Sequence, residues 1–367
     1  MRQLLWPTTL LLSAAVMLPA QAPRPPFTPE QAARGLERAK AQWQVRKEIL
    51  DITAPDGTWG YRAQIEPFQM IGNLYSVGVG NGDSYLLTGP QGHILFGAGM
   101  DETADHVIAS IQKLGFKPTD VKVIVMNHFH GNQVSGAAKL KAATGAQLMA
   151  GFGEVPYMEN RGVPPGTQPP APSQAPPPSA SNRGIAGGPI GGVDQAPFGV
   201  FGATQLATMV PYPKIKIDRA LLNGDVISVG PLKVTVYVAP GHTATPISFF
   251  FTVRQGGKDY RVFDFCCWEF NEPDPYRNQF YTDAGLERTL DLFRKVLPVD
   301  VYLEGGTYGW SGVLNQTSGT MSERLAKLKA EPGSVKLWVN RELFPELAAA
   351  REVWYLQHRA RHEAQGK

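Results

Sequence analysis

From Phe68 onward apolar residues tend to alternate with polar or small ones, in the runs Phe68-Gln69-Met70-Ile71-Gly72-Asn73-Leu74-Tyr75-Ser76-Val77, Ser84-Tyr85-Leu86-Leu87 and His93-Ile94-Leu95-Phe96. Glycine and asparagine punctuate these runs, as in Asn81-Gly82-Asp83, and a period of two broken by turn residues predicts a β-meander. The period then changes. Val107, Ile108, Ile111 and Leu114 recur at helical spacing, which predicts a helix over 101–114. Residues 121–126, Val-Lys-Val-Ile-Val-Met, are almost continuously apolar and read as a strand covered on both faces. A helix over 134–143, stopped before Gly145, and a strand over 146–150 follow. Strand, helix and strand in alternation make one half of a layered α/β fold.

The second half repeats the logic. Strands are expected at 214–218, 226–228, 232–238, 247–253, 260–265 and 299–303, and helices at 283–296, 322–330 and 342–361. Leu347, Val353, Trp354 and Leu356 form a packing face on the last helix. A charged, helix-compatible stretch at 29–48 precedes the first strand. Two sheets flanked by helices, an α/β four-layer αββα sandwich, is the architecture this order implies. Between the halves, residues 155–202 include a proline-rich tract and then Gly187-Gly188-Pro189-Ile190-Gly191-Gly192. Such a composition buries too little apolar surface to order itself, so a mobile surface insertion is expected there.

Composition narrows the class. Of 367 residues, 43% are hydrophobic and 18% charged, enough apolar material for one sizeable core over 67–367, with 23–66 as an N-terminal helical or extended segment. The formal charge of +3 comes from 35 basic and 32 acidic residues without a long run of either sign, which argues against nucleic acid or an anionic membrane as partner. Arg2, an apolar stretch over 4–18 and Ala20-Gln21-Ala22 fit a signal peptide over 1–22 and a periplasmic or secreted protein. That stretch is short and interrupted by Pro7, so no membrane span is expected once it is removed. The two cysteines are the neighbours Cys266 and Cys267. A trans peptide holds adjacent Cα atoms about 3.8 Å apart, below the usual disulfide range, so free thiols or ligands are expected.

The chemistry gathers at histidines. His128-Phe129-His130 directly follows the buried strand, and residues two apart in extended backbone point to one side, so both imidazoles can face one ion. Taken alone, a His-x-His pair is more often hydrogen-bonded structure. Pro240-Gly241-His242-Thr243, between two strong strands, brings a third imidazole to the same edge, and three neutral nitrogens with an open fourth position are the pattern of a catalytic zinc. His93 and His106 read as structural, and His358 and His362, four apart on a helix, as a surface pair. Gly309-Trp310-Ser311-Gly312 lacks the spacing of a nucleophile elbow, which argues against a serine hydrolase.

On these residues the chain resembles the metallo-β-lactamase superfamily, and within it the third subclass of metallo-β-lactamases. The resemblance runs from about Pro67 to Arg361 apart from the insertion, through Pro67-Phe68-Gln69-Met70-Ile71-Gly72-Asn73-Leu74-Tyr75, Gly92-His93-Ile94-Leu95, Leu114-Gly115-Phe116, Asp218-Arg219 and Val238-Ala239-Pro240-Gly241-His242-Thr243. It implies that His128, His130 and His242 hold the first zinc of the family's His-x-His-x-Asp-His pattern. Asn132 and Gln133 stand where the family has the aspartate and histidine of its second zinc, the family's last zinc histidine falls near Gly306, and its supporting Asp-Gly-Gly reads Gly97-Ala98-Gly99. One zinc is therefore expected and the second site is degraded. Cys266 falls at about the position of a serine or zinc-binding cysteine in relatives, and is either an extra metal ligand or a buried strand-end thiol. Asp264, Glu269 and Glu304 are possible carboxylate ligands. Asn132 and Gln133 either line the substrate pocket or merely cap a helix.

The function expected is an exported hydrolase in which one zinc activates water, acting on a small-molecule lactam, lactone or ester. Asn132 cannot accept a proton as a carboxylate does and a second metal is missing, so β-lactamase activity is expected to be weak at most. The alternative is a member of the fold that binds metal or ligand without catalysis.

Overall fold

The computed structural model describes residues 26–50, 64–79, 84–162, 164–166, 212–243, 245–267, 280–304 and 321–366. The 1–22 leader, most of the proline-rich stretch, Glu269, Gly306 and Gly309-Trp310-Ser311-Gly312 lie outside the described residues.

Helix α1 (Pro29–Leu50) precedes a seven-stranded sheet whose order follows the chain: β1 (Phe68–Ile71), β2 (Leu74–Ser76), β3 (Tyr85–Leu87), β4 (His93–Phe96), β5 (Val121–Met126), β6 (Gln147–Gly151) and β7 (Arg219–Leu221). The first four strands pair antiparallel, and β4 to β7 pair parallel. Parallel neighbours need crossovers. These are α2 (Ala104–Lys113) before β5, and α3 (Gly131–Val134) with α4 (Ala137–Thr144) before β6; α5 (Val155–Glu159) follows β6. The second sheet comprises β8 (Val226–Val229), β9 (Leu232–Val238), β10 (Ile247–Gln255), β11 (Lys258–Phe265) and β12 (Val301–Glu304), in the order β12-β11-β10-β9-β8. Helix α6 (Asp283–Val296) links β11 to β12, and α7 (Met321–Ala330), α8 (Val335–Trp338) and α9 (Leu343–Ala364) follow.

Alternation along the strands decides which side each residue faces, and it produces four layers. Phe96, Val123 and Val125 meet Val234, Phe249, Phe251 and Val262 between the sheets, where the Phe96 ring lies 5.0 Å from Phe249 and 5.2 Å from Phe251. Leu95, Ile124 and Leu148 turn outward onto Val107, Ile111 and Leu140 of α2 and α4. Phe263 and Phe265 turn outward on the other side, onto Leu286, Leu290 and Phe293 of α6 and Phe344 and Leu347 of α9. The expected αββα sandwich is the observed one. Among the described residues no helix is long and apolar enough to cross a membrane.

Local departures from the pattern each have a packing cause. The run expected over 68–77 is two strands, turned at Gly72 with φ +56°, where a Cβ would lie 2.7 Å from the Arg254 carbonyl oxygen. The helix expected over 134–143 is observed as α4 from Ala137, with Val134 ending α3 and Gly136 as the N-cap residue of α4, where a Cβ would lie 2.3 Å from the Ala98 carbonyl oxygen. Residues 214–218 form no strand; Ile215 and Ile217 are buried in the outer core, but pairing with β6 starts at Arg219. The segment expected to be insertion from 155 begins as α5, with Met158 fully buried. On α9, Leu347 and Trp354 face inward as expected, but Leu356 is exposed while Arg351 is buried.

Helix α1 docks on α9 through a charged clamp in which Arg34 and Arg38 donate to the buried Glu346 carboxylate. Gly35 faces the same turn, and a Cβ there would lie 1.8 Å from the Glu346 carbonyl oxygen. In an open helix Gly→Ala gains about 1 kcal/mol. Here Gly35→Ala is expected to lower the melting temperature instead, which a thermal melt followed by far-UV circular dichroism checks.

Candidate metal centre

Two loops from different sheets build the site. The first leaves the end of β5, where Asn127 is buried and its carbonyl accepts from the Ile247 N–H of β10 at 2.9 Å. His128 and His130 follow, and α3 starts at once with His130 as its N-cap residue. The second loop joins β9 to β10. Gly241 adopts φ +152° there, a conformation glycine reaches without steric cost, and the Pro240 carbonyl accepts from Thr289 Oγ1 of α6 at 2.8 Å.

The three imidazoles converge. Ligand nitrogens of His128, His130 and His242 lie within 4.8 Å of one another, with ring centroids 4.6–4.7 Å apart and planes near perpendicular. His130 Nδ1 and His242 Nε2 face each other at 2.9 Å. His128 Nδ1 lies 2.8 Å from Asn127 Oδ1, which fixes it as the protonated nitrogen of a neutral ring and leaves Nε2 as the lone pair for a cation. Burial first, then the neighbouring rings, pushes the basicity of His128 well down, and the same two causes lower His130. Rings kept neutral are the form a metal binds. A tetrahedral ion holding its nitrogens at about 2.0–2.1 Å spaces them roughly 3.4 Å apart, so the donor set fits one divalent ion.

Cys266 and Cys267 are not free thiols: they are bonded to each other, with Cα atoms 3.2 Å apart rather than the trans spacing on which the expectation rested. Cys266 Sγ lies 3.3 Å from His128 Nδ1 and Cys267 Sγ 3.7 Å from it. The pair therefore backs a metal-ligand candidate, and disulfide sulfur is not the thiolate that ligates metals. Asn132 and Gln133 are buried inside α3, whose N-cap residue is His130; among the described residues Asn132 Oδ1 and both polar atoms of Gln133 have no hydrogen-bond partner. The loop Gly97-Ala98-Gly99 fastens α3 by backbone alone, Ala98 N–H donating to the Gln133 carbonyl at 2.9 Å and Gly136 N–H to the Gly99 carbonyl at 3.0 Å.

Other sequence candidates stand elsewhere. His93 Nδ1 accepts from Gly89 N–H, and His106 Nε2 reaches the carbonyls of Ile65 and Gly78, so both are structural as expected. His358 lies against Trp354 on α9. Among the described residues the metal-capable clusters contain no carboxylate. Glu304 accepts from the buried Arg351, which also donates to the Tyr302 hydroxyl at 3.3 Å. Sequence reasoning missed Glu154, a buried acid after β6 that accepts from Phe129 N–H, Thr243 Oγ1 and Thr245 N–H. Burial pushes it up to about 7 against the lowering by these donors. A single glutamate in Gly151-Phe152-Gly153-Glu154 carries no local mark of such contacts.

Residues 77–255 match the family model of the metallo-beta-lactamase superfamily. This is a metallo-β-lactamase fold. MEM-A1, a subclass B3 metallo-beta-lactamase from a soil metagenome library, aligns with TM-score 0.57 at 23% identity over 83% of this chain and 99% of its own. BJP-1 of Bradyrhizobium japonicum, also subclass B3, gives 0.57 at 24% over 84% and 98%. GOB-18 from Elizabethkingia meningoseptica gives 0.60 at 20% over 84% and 98%. The resemblance read in the sequence is thus shown, and at such identities these structures speak to the fold alone.

Asp264, at the end of β11, is a further buried acid; burial first, then Glu304, raises it to about 7, and among the described residues its Oδ1 has no hydrogen bond. An acid whose folded pKa exceeds its unfolded value costs stability as pH rises between the two values, and the cost is complete above the folded one. Asp264→Asn removes that slope. In metal-free protein the variant's melting temperature is expected to gain several degrees on wild type between pH 4 and pH 8, read from paired melts across that range.

Proposed function

We propose that this protein is an exported, zinc-dependent hydrolase with a single metal ion, acting on a small-molecule lactam, lactone or ester and only weakly, if at all, on β-lactams. The observation that carries this reading is the convergence of His128, His130 and His242 from two loops at one edge of the sandwich, with burial holding His128 and His130 well below their ordinary basicity. Zinc held by three imidazoles supplies Lewis acidity and lowers the pKa of its water to about 7. The chain's own residues do the rest. Asn132 and Gln133 present buried, unsatisfied carboxamide atoms on the helix that begins at His130, suited to binding a polar substrate group that satisfies them, because leaving them unmet costs about 1–3 kcal/mol each. Neither amide accepts a proton as a carboxylate would, so a poor leaving group such as a lactam nitrogen is disfavoured relative to an alkoxide.

The same lack of an acid or base among the clustered donors favours the second reading, a metal- or ligand-binding member of the fold without turnover. Cys266, tied to Cys267, does not strengthen a two-metal reading. Export rests on the 1–22 segment, and intact-mass analysis of the mature protein from its native compartment should show cleavage after Ala22.

Metal analysis and a hydrolysis panel separate these readings. One zinc per chain is expected, and His130→Ala should lose tight binding and at least 100-fold of any turnover, as loss of a direct ligand exceeds the roughly 10–100-fold cost of losing an outer-shell partner. Turnover unchanged in His130→Ala would falsify the hydrolase. Zinc without turnover across β-lactams, lactones, esters and phosphodiesters selects the non-catalytic protein.

A further inference from the structure

Glu154 is a fully buried carboxylate whose two oxygens serve two different loops. Oε2 accepts from the Phe129 N–H at 3.0 Å, between His128 and His130. Oε1 accepts from Thr243 Oγ1 and Thr245 N–H, both at 2.8 Å, on the loop carrying His242. The Phe129 peptide is held from its other end too, where the Tyr212 hydroxyl donates to its carbonyl at 3.3 Å. The close approach is built in by glycines on either side of Phe152. A Cβ at Gly151 would lie 2.7 Å from the Thr245 carbonyl oxygen, and one at Gly153 would lie 2.4 Å from Thr245 Oγ1.

All three donors point at one group, which in its ionised form offers an acceptor oxygen to each loop without a proton of its own in the way. We propose that Glu154 is a positioning residue for the metal centre, each oxygen gripping one ligand loop, so that the separation between the His128–His130 segment and His242 is set before any ion binds. The role deepens the metal reading above and rests on it. Glutamine in this place keeps the size but brings an amide N–H against a donor on one loop or the other. One loop then loses its grip, and outer-shell partners of this kind are worth about 10–100-fold in metal affinity.

The experiment measures cobalt(II) and zinc dissociation constants by chelator competition, together with the visible absorption of the cobalt form, for wild type, Glu154→Gln, Thr243→Val and Glu346→Gln. Glu346→Gln is the control, since it removes a buried acid from the α1–α9 clamp and touches neither loop. Glu154→Gln is expected to bind at least tenfold more weakly with an altered cobalt spectrum, Thr243→Val severalfold more weakly, and Glu346→Gln like wild type. Should Glu154→Gln not fold, Thr243→Val decides, since it keeps the carboxylate and both backbone donors. Wild-type affinity and spectrum in both Glu154→Gln and Thr243→Val, or equal weakening in Glu346→Gln, overturns the positioning role while the metal centre stands. A wild-type chain that takes up neither ion overturns the metal centre itself.

Discussion

Everything at the candidate centre depends on the seating of one sheet against the other. His128 and His130 belong to a loop of the first sheet and His242 to a loop of the second, far apart in the chain. The sheets that carry the two loops are seated on each other through the apolar layer in which Phe96 lies against Phe249 and Phe251, and Glu154 hydrogen-bonds both loops at the rim. Close-packed interiors resist sliding by even a methylene group, so a core without visible chemistry contributes to a spacing on which metal binding turns. The hydrogen bond from Ile247 N–H to the Asn127 carbonyl repeats the constraint at the rim, one residue before the first imidazole.

Around this frame, polar groups are spent unevenly. Asn127 fixes the tautomer of His128, and the backbone of the Gly97-Ala98-Gly99 loop holds the α3 segment through the Ala98 N–H, which donates to Gln133, and the Gly99 carbonyl, which accepts from Gly136. Among the described residues the clustered donors include no carboxylate. The centre that results has a low count of negative charge, which preserves the electrophilicity of a bound ion but provides little means of moving a proton. Of the buried acids, Glu154 is held by hydrogen-bond donors of the two ligand loops, and Asp264 lies buried with Glu304 as its charged neighbour.

Much of this was legible in the chain. The exact extents of β5, β9 and α6 follow from a continuous apolar run, a clean alternation and a helical stripe, since those periods are imposed by backbone geometry and survive any tertiary context. The three histidines were legible because two sit two apart at a strand end and the third follows a glycine between strong strands. Boundaries differed where contacts distant in sequence come in: Gly136, between α3 and α4, lies against the Ala98 carbonyl, and the ladder with β6 begins only at Arg219, after a single backbone hydrogen bond from Asp218 to Leu148.

Sequence alone therefore determined the element order, the layered class and the identity of the nitrogen donors, because periodicity and residue chemistry are properties of the chain. Only the tertiary structure decided that Arg351 is buried against Glu304, that Cys266 is joined to Cys267 behind His128, and that Glu154 joins the two ligand loops. Each of these is a contact between residues whose local surroundings carry no trace of the partner. Burial and distance exist only once the two sheets have closed on each other.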